Sequence, residues 1–383
     1  MSTLPLPSPA AQAHSNRLCA LIHQDIELQG GWIPFSRFME LALYAPELGY
    51  YSAGAHKLGA AGDFVTAPEI SPLFGRALAR QIAEIMAQST PHILELGAGS
   101  GKLAVDILSE LERKGCLPDR YNILEVSADL RQRQQALLQQ RLPHLMSRVH
   151  WLEAPPDDIS GMLIANEVLD ALPVHLVRRN GENIVERGVA SIEKNFVWQE
   201  RIPQIPSLLH LAQQVGVPDN TLSEISLNAR GLVSSFSERL RQGVMLFIDY
   251  GFGTREYYHP QRCNGTLMCH YRHHAHDDPF FLPGLQDITA HVDFTAVAES
   301  AIDAGLHLYG YTTQASFLVN CGITELLADT DPQSVLDYLP LSSQLQKLTS
   351  PAEMGDLFKV IALGKEMKGP LGGFVTGDKS RYL

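Results

Sequence analysis

From Pro91 onward, short runs of hydrophobic residues alternate with stretches that have the apolar spacing of helices. Four of these runs contain few alternating polar positions, which is typical of strands in a parallel sheet covered on both faces. They read HILELG, YNILEVS, VHWLEA and GMLIAN. Between the first two, Ala104, Ile107, Leu108 and Leu111 follow the i, i+3, i+4, i+7 spacing of a helix that buries one face. Together these runs predict βαβ architecture.

The next comparable run, GVMLFIDYG, comes too far after GMLIAN for a simple helical crossover. We therefore expect an insertion at about 175–240. Within it, an Asn180–Gly181 pair between two alternating runs is a strong hairpin signal, and NFVWQERI predicts a further strand. Helical patterns follow in SLLHLAQQVG and SERLRQG. The insertion is predicted to be a small β-meander followed by helices.

The beginning of the chain has a different pattern. After a proline-rich start, helical apolar spacing appears, as at Phe35, Phe38 and Met39. We expect a helical extension over 1–60 and a larger α/β domain over 61–383.

Charge and hydropathy limit the classes of partner. The 42 acidic and 30 basic residues give a net charge of −12, which disfavours a nucleic-acid backbone and favours a cationic substrate. No apolar run approaches the roughly 18 residues that a membrane-spanning helix needs. We therefore predict no nucleic-acid partner and no membrane partner, and the sequence leaves open whether the protein forms a homodimer.

The five cysteines are dispersed and contain no CxxC pair. This usage favours a reducing compartment over a disulfide framework or a zinc cluster. The N-terminus has no basic start followed by an apolar core, so it does not resemble a secretory signal. A cytoplasmic protein is predicted.

A run of His270, His273, His274 and His276 invites a metal interpretation. These histidines lack a helix-spaced pair such as H-E-x-x-H. We predict a surface or substrate-contacting loop without a metal.

A glycine-rich stretch, ELGAGSGKLAVD, follows the first predicted strand. A phosphate-binding P-loop would need glycine and Ser or Thr at positions that Leu96 and Leu103 occupy. The dinucleotide pattern G-x-G-x-x-G begins with Gly97 and Gly99, but its third glycine would fall on Lys102. A nucleoside-triphosphate site is therefore disfavoured, and a dinucleotide site is weakened but stays open.

The remaining interpretation uses the acidic residue at the strand end. Glu95 followed by Gly97, Gly99 and Gly101 resembles the first motif of class I S-adenosylmethionine-dependent methyltransferases. Glycines allow the backbone to approach the methionine and ribose parts closely, because no Cβ is in the way. A glycine-rich turn without any ligand is the alternative.

Eight passages, taken in order, resemble the MidA-like methyltransferases, whose mitochondrial members are complex I assembly factors that methylate protein arginine. The passages are GDFVTAPEISPLFG, ELGAGSGKLAVD, EVSADLRQRQ, ANEVLDALPVH, IDYGFG, GTLMCHYRHHAHDDPF, DITAHVDFT and MGDLFKVIALG. The resemblance covers about 30–365. It implies a class I methyltransferase Rossmann-like seven-stranded sheet, in which GLHLYGYTT and LFKVIALG form the terminal antiparallel pair.

The chain departs from the family pattern at four places. Ala128 and Leu227 stand where the family tends to have proline, and Ala98 and Ser100 stand in the glycine loop where other residues are common. The glycines themselves are intact. The change at Leu227 touches a region expected on the substrate side.

The cofactor implied by the resemblance is S-adenosyl-L-methionine. Glu125, at the end of the second strand, matches the acidic residue that accepts hydrogen bonds from the ribose hydroxyls. Glu95 is expected to reach the methionine amino group through its backbone or through a water. Leu152, after the third strand, is placed to touch adenine. The alternative for Glu125 is a solvated carboxylate at the end of a strand.

A second group of cofactor candidates precedes the first strand. The resemblance suggests that Gly62, Asp63 and Phe64 close over the methionine moiety. A capped turn entering a helix is the alternative.

The candidate catalytic residues are Asn166, Glu167, Asp170 and His291. Asn166 is also a cofactor candidate, because it follows the fourth strand, where the methyl-accepting atom usually lies. On a helical turn, Glu167 and Asp170 would lie on one face and hold a guanidinium between them. A helix-capping asparagine and solvated acids are the alternative, and His291 has a structural alternative of its own.

We interpret the chain as a methyltransferase that modifies an accessible arginine on a partner protein. Three alternatives stay open. They are a non-catalytic S-adenosylmethionine-binding assembly factor, a small-molecule methyltransferase and a nicotinamide dehydrogenase.

Overall fold

The computed structural model describes residues 4–53 and 66–383. The chain divides into two compact units, each built from three segments of sequence. The first unit comprises Met1–Phe64, Leu169–Leu232 and Phe252–Asp293, and the second unit comprises Val65–Val168, Val233–Gly251 and Phe294–Leu383. In this division, 169–232 and 252–293 group with the N-terminal extension, and the domain boundary expected at residue 60 stays a prediction.

The described residues form both parallel and antiparallel strands. In chain order the strands are β1 (Trp32–Pro34), β2 (His92–Leu96), β3 (Arg120–Leu124), β4 (Val149–Leu152), β5 (Ile159–Asn166), β6 (His175–Asn180), β7 (Asn183–Ile192), β8 (Asn195–Arg201), β9 (Leu222–Ile225), β10 (Leu240–Phe252), β11 (Met268–Tyr271), β12 (His274–His276), β13 (Asp287–Thr289), β14 (Val292–Asp293), β15 (His307–Thr313) and β16 (Phe358–Lys365).

Helices connect and cover these strands. In chain order the helices are α1 (Pro9–Leu28), α2 (Phe35–Tyr44), α3 (Ala67–Ile70), α4 (Pro72–Met86), α5 (Lys102–Arg113), α6 (Ala128–Arg141), α7 (Pro206–Gln214), α8 (Leu227–Arg239), α9 (Thr254–Tyr257), α10 (Phe294–Asp303), α11 (Gln314–Asn320), α12 (Ile323–Ala328), α13 (Val335–Thr349) and α14 (Met354–Leu357). None of the helices in the described parts of the chain combines the length and the apolar character that crossing a bilayer requires.

The second unit is built on a sheet with the strand order β15-β16-β10-β5-β2-β3-β4. The five strands from β10 to β4 are parallel, and β16 is antiparallel to both of its neighbours. This arrangement confirms the predicted seven-stranded class I sheet with its terminal antiparallel pair. The order reverses between β2 and β5, so ligands are expected at the carboxyl ends of these two strands.

Buried apolar side chains explain why these runs form parallel strands. Ile93, Ile123 and Ile164 are fully buried in β2, β3 and β5. The predicted apolar face of α5 is also buried, as its periodicity required, at Ala104, Ile107, Leu108 and Leu111. These three side chains lie on one face of the sheet, and Leu94 and Leu163 are buried on the other face. Burial of each large aliphatic side chain contributes about 1.5–3 kcal/mol, so both faces stabilise the sheet.

The first unit contains an antiparallel sheet of order β1-β7-β6-β9, with β8 on β7. The predicted hairpin is confirmed, since Asn180 pairs with Asn183 and Gly181 has a φ of 59°. The predicted strand in NFVWQERI is β8, and most of SLLHLAQQVG lies in α7. The helix predicted in SERLRQG is only partly correct, because α8 ends at Arg239 and β10 begins at Leu240.

A smaller sheet of order β12-β11-β13 carries the histidine run. The expectation of a loop is wrong for His270, His274 and His276, which lie in the hairpin of β11 and β12. Within 4–53 and 66–383, His, Cys, Asp and Glu side chains do not form a group of three or more that could hold a metal ion.

Two glycines face each other in the centre of the parallel sheet. Gly161 of β5 pairs with Gly243 of β10, and both have positive φ values, 116° and 122°. A Cβ on Gly161 would lie 2.6 Å from the carbonyl oxygen of Thr90 and closer still to that of His92. The two strands therefore need glycine at these positions.

We predict that Gly161→Ala lowers the free energy of unfolding by about 3 kcal/mol, through backbone strain and overpacking. The matched control is Gly231→Ala in α8, where a Cβ would meet nothing within 4 Å. That control should raise stability by about 0.5–1 kcal/mol, because alanine is the better helix former. Denaturant unfolding of both variants measures the difference, and equal effects would contradict the packing described.

Candidate active site

The glycine loop between β2 and α5 needs glycine for its own backbone. Gly97, Gly99 and Gly101 have φ values of 61°, 53° and 85°, in the left-handed region that side chains rarely adopt. A Cβ on Gly101 would also lie 3.2 Å from the Cα of Gln134. The three glycines therefore set the shape of the loop, in addition to leaving room for a ligand.

Gln134 of α6 is a site residue that the sequence did not reveal. Its side chain is fully buried, and its Nε2 donates to the Glu125 carboxylate at 3.0 Å and to the Gly99 carbonyl at 2.9 Å. Its Oε1 accepts from Nε1 of Trp151 at 2.9 Å. One amide thus joins the glycine loop, the end of β3 and β4. The signal available in the sequence is the spacing of four residues between Gln134 and Leu138, which places the glutamine on the same face of α6 as an apolar residue.

Glu125 lies directly after β3 and is 7% exposed. Its Oε1 accepts from the backbone N–H of Ser127 at 2.9 Å, and its Oε2 accepts from Gln134. Burial raises the pKa of the Glu125 carboxyl, and these two hydrogen bonds oppose that rise by favouring the ionised form. The carboxylate is therefore held in one orientation, and its contact with the ribose hydroxyls stays a prediction.

Glu95 of β2 is buried next to the loop. The hydroxyl of Tyr121 donates to its carboxylate at 2.8 Å. Burial raises the pKa of Glu95 to about 7, an effect that the Tyr121 hydrogen bond only partly opposes. The contact with the methionine amino group stays a prediction.

Of the remaining cofactor candidates, Leu152 lies within the described residues. Leu152 ends β4, and its carbonyl accepts from the Arg131 guanidinium at 2.6 Å. Its contact with adenine stays a prediction. Gly62, Asp63 and Phe64 lie outside the described residues.

Asn166 and Glu167 lie where β5 ends. The Nδ2 of Asn166 donates to Oε1 of Glu167 at 3.1 Å, and the Glu167 N–H donates to the Ile248 carbonyl at 2.9 Å. Glu167 has a φ of 53°, which is uncommon for a residue with a side chain and which is found both in turns and at functional sites. The Oδ1 of Asn166 is buried and accepts no hydrogen bond from the described residues.

The expectation of a helical turn over Glu167 and Asp170 is wrong. The positive φ of Glu167 stops the chain from entering a right-handed helix, and the residues that follow form a bend. Asp170 belongs to the first unit, whereas Glu167 belongs to the second. The spacing of three residues therefore does not place the two carboxylates on one helix face.

Within the first unit, Asp170 and His291 lie on adjoining segments. The carbonyl of Asp170 accepts from the N–H of Ala290 at 3.0 Å. The N–H of His291 donates to Oγ1 of Thr266 at 3.0 Å, and its ring stacks on Phe252 with the centroids 5.5 Å apart. Their catalytic roles stay predictions.

The second unit offers the groups that S-adenosylmethionine needs. The cofactor presents hydrogen-bond donors at its ammonium, its ribose hydroxyls and its adenine amine. The chain presents a fixed carboxylate at Glu125 and, as far as 4–53 and 66–383 are concerned, an unpaired acceptor at Asn166 Oδ1, beside a loop whose glycines carry no Cβ. Because buried acceptors are costly when unpaired, Asn166 Oδ1 fits a donor from a bound molecule.

Residues 77–312 match the sequence profile of a family described as "Putative S-adenosyl-L-methionine-dependent methyltransferase". The chain belongs to this methyltransferase family. It is therefore a methyltransferase that uses S-adenosylmethionine, in agreement with the class I sheet and the glycine loop. The alternatives of a nicotinamide dehydrogenase and a non-catalytic binding factor are set aside.

Relatives and solved structures support the same assignment. A protein from Burkholderia thailandensis, solved with bound S-adenosyl-homocysteine, is 46% identical and has a TM-score of 0.97 over 100% of both chains. Protein arginine methyltransferase NDUFAF7 from Danio rerio is 31% identical, and the match covers 87% of this chain and 83% of that protein. The Drosophila melanogaster homologue is 30% identical over 88% of this chain and 82% of its own.

The prediction of a cytoplasmic location is wrong by this comparison, because these curated relatives are named as mitochondrial. The prediction relied on the dispersed free cysteines and on an N-terminus that does not resemble a secretory signal. Free cysteines indicate reducing conditions, which more than one compartment provides.

The raised pKa of Glu95 predicts how stability depends on pH in this methyltransferase. Between pH 4.5 and 7 the folded protein keeps a proton that the unfolded chain loses, so the free energy of unfolding falls as the pH rises. Glu95→Gln should remove this loss. The free energy of unfolding of the variant, relative to that of wild type, should therefore be about 2–3 kcal/mol higher at pH 8 than at pH 4.5. Denaturant unfolding at both pH values measures the gain.

The matched control for this measurement is Glu238→Gln, on the exposed surface of α8. Its stability relative to wild type should be the same at both pH values. A difference between Glu95→Gln and wild type that does not change with pH would contradict the burial assigned to Glu95.

Proposed function

We propose that this methyltransferase transfers the methyl group to an arginine side chain of a partner protein. Both of the curated relatives described above are named as protein arginine methyltransferases. The net charge of −12 also favours a cationic substrate over an anionic one. The substrate class is thus supported by relatives and by charge together.

The observation that carries the proposal is the position of the Glu167 carboxylate. It follows β5 at the switch point of the sheet, where class I ligands bind. The next residue, Val168, packs against the glycine loop. A Cβ built on Gly97 would lie 3.3 Å from Cγ2 of Val168. A carboxylate next to the cofactor loop can hold a guanidinium through charge-assisted hydrogen bonds.

The orientation of Glu167 is fixed by the chain itself. Its N–H donates a hydrogen bond to the Ile248 carbonyl, and its Oε1 accepts a hydrogen bond from Asn166. Its left-handed backbone conformation directs the side chain differently from that of a helical residue. Fixed groups of this kind raise the rate by holding reactants in a near-attack geometry. Glu167 would in addition stabilise the positive charge of the guanidinium before the proton leaves.

Bound S-adenosylmethionine supplies a methyl group that its sulfonium makes electrophilic. An arginine nitrogen forms the new N–C bond as the S–C bond breaks, which leaves S-adenosylhomocysteine. The nitrogen then loses one proton. The role of Glu167 is to aim that nitrogen at the methyl carbon.

We predict that Glu167→Gln binds S-adenosylmethionine with an affinity within about twofold of wild type, since glutamine keeps an Oε1 acceptor. Methyl transfer to protein should fall at least about 100-fold, because the charged hydrogen bonds to the guanidinium are lost. Calorimetric titration measures the first effect, and incorporation of label from methyl-labelled S-adenosylmethionine measures the second.

Glu238→Gln is the control and should behave like wild type in both assays. Unchanged methyl transfer in Glu167→Gln would contradict the clamp. Loss of cofactor binding together with transfer would show that Glu167 supports the fold of the site instead of holding the substrate.

A further inference from the structure

Glu69 lies in the short helix α3, which precedes the first long helix of the second unit. Its side chain is half-buried and faces the glycine loop, because the Ser100 hydroxyl donates to its Oε1. Ser100 is one of the loop positions at which this chain departs from the usual family residue. The contact therefore joins α3 to the middle of the cofactor loop.

Lys102 makes a second contact between the loop and α3. Its Nζ donates to the carbonyl oxygen of Glu69 at 3.2 Å, and its backbone N–H donates to Oγ of Ser100 at 3.3 Å. In a dinucleotide-binding fold this position is a glycine that allows close packing. Here the long side chain holds Glu69 in place instead.

The other end of α3 contacts the proposed acceptor site. The N–H of Ala67, the first residue of α3, donates to Oε1 of Glu167 at 3.4 Å. The same oxygen accepts from Asn166 at 3.1 Å. A continuous set of hydrogen bonds therefore runs from the glycine loop through α3 to the carboxylate at the end of β5.

We propose that Glu69 is a positioning residue that couples the cofactor loop to Glu167. When S-adenosylmethionine orders the loop, the bonds of Ser100 and Lys102 to Glu69 fix α3, and α3 in turn fixes the Glu167 carboxylate. The cofactor thereby completes the geometry of the acceptor site before the acceptor arrives. The functional meaning of this coupling rests on the role proposed for Glu167.

Thermodynamic reciprocity makes the coupling measurable without an acceptor. If cofactor binding favours the arrangement in which α3 is fixed, loss of the α3 contacts must weaken cofactor binding. Ser100 and Glu69 act through one hydrogen bond, so their effects should not add. Substitution of a residue that only supported the global fold would lower the free energy of unfolding but would not give non-additive losses of cofactor affinity.

The test compares S-adenosylmethionine affinity, by calorimetric titration, in Ser100→Ala, Glu69→Ala and the double variant. Each single variant should bind about tenfold more weakly, and the double variant should be no weaker than Glu69→Ala alone. Glu69→Gln, which keeps an acceptor for the Ser100 hydroxyl, should restore most of the affinity. Ser109→Ala is the matched control, because that exposed hydroxyl donates only to the Val105 carbonyl of its own helix.

Hydrogen exchange on the same proteins tests whether the coupling reaches Glu167. In wild type and in Ser109→Ala, S-adenosylmethionine should slow amide exchange in peptides covering 163–168. In Ser100→Ala and Glu69→Ala, at saturating cofactor, this protection should be lost while protection at 93–97 remains.

In the titrations, additive losses of affinity or an unchanged affinity would overturn the proposal. In hydrogen exchange, it would be overturned if protection at 163–168 persisted in the variants or were absent from wild type. Neither measurement depends on methyl transfer. Failure of the coupling is therefore distinguishable from failure of the proposed arginine substrate.

Discussion

The glycine loop and the end of β3, in the second unit, are joined by one buried amide. Gln134 donates to Glu125 and to Gly99 and accepts from Trp151, so one buried side chain pairs with three polar groups that are buried or half-buried. An unpaired buried polar group costs roughly 1–3 kcal/mol, which makes this network a strong constraint on the loop. The network holds the Gly99 carbonyl and the Glu125 carboxylate in fixed positions relative to each other.

A second constraint acts where β5 ends. The parallel strands bring the glycine loop and Glu167 to the same edge of the sheet, and the left-handed backbone of Glu167 turns the chain there. Positioning is the main contribution that a protein can make to methyl transfer, because the cofactor already carries the activated group. The contacts around Glu167 are of the kind that positioning requires.

Hydrophobic periodicity predicted the parallel strands and the face of α5, and the Asn180–Gly181 pair predicted the hairpin, because these features depend on local sequence. It did not predict the contacts of Gln134 or Glu69, which join residues distant in sequence. The helical turn assumed at Glu167 failed for a different reason. A positive φ at a non-glycine residue is imposed by tertiary contacts and leaves no pattern in the surrounding sequence.

The most direct measurement is the identity of the methylated product. The purified protein would be incubated with methyl-labelled S-adenosylmethionine and an extract of proteins from its own source, and the labelled protein would then be hydrolysed to amino acids. The account predicts that the label elutes as methylarginine and that Glu167→Gln abolishes it. Label in another amino acid, or only in small molecules, would contradict the assignment of an arginine substrate.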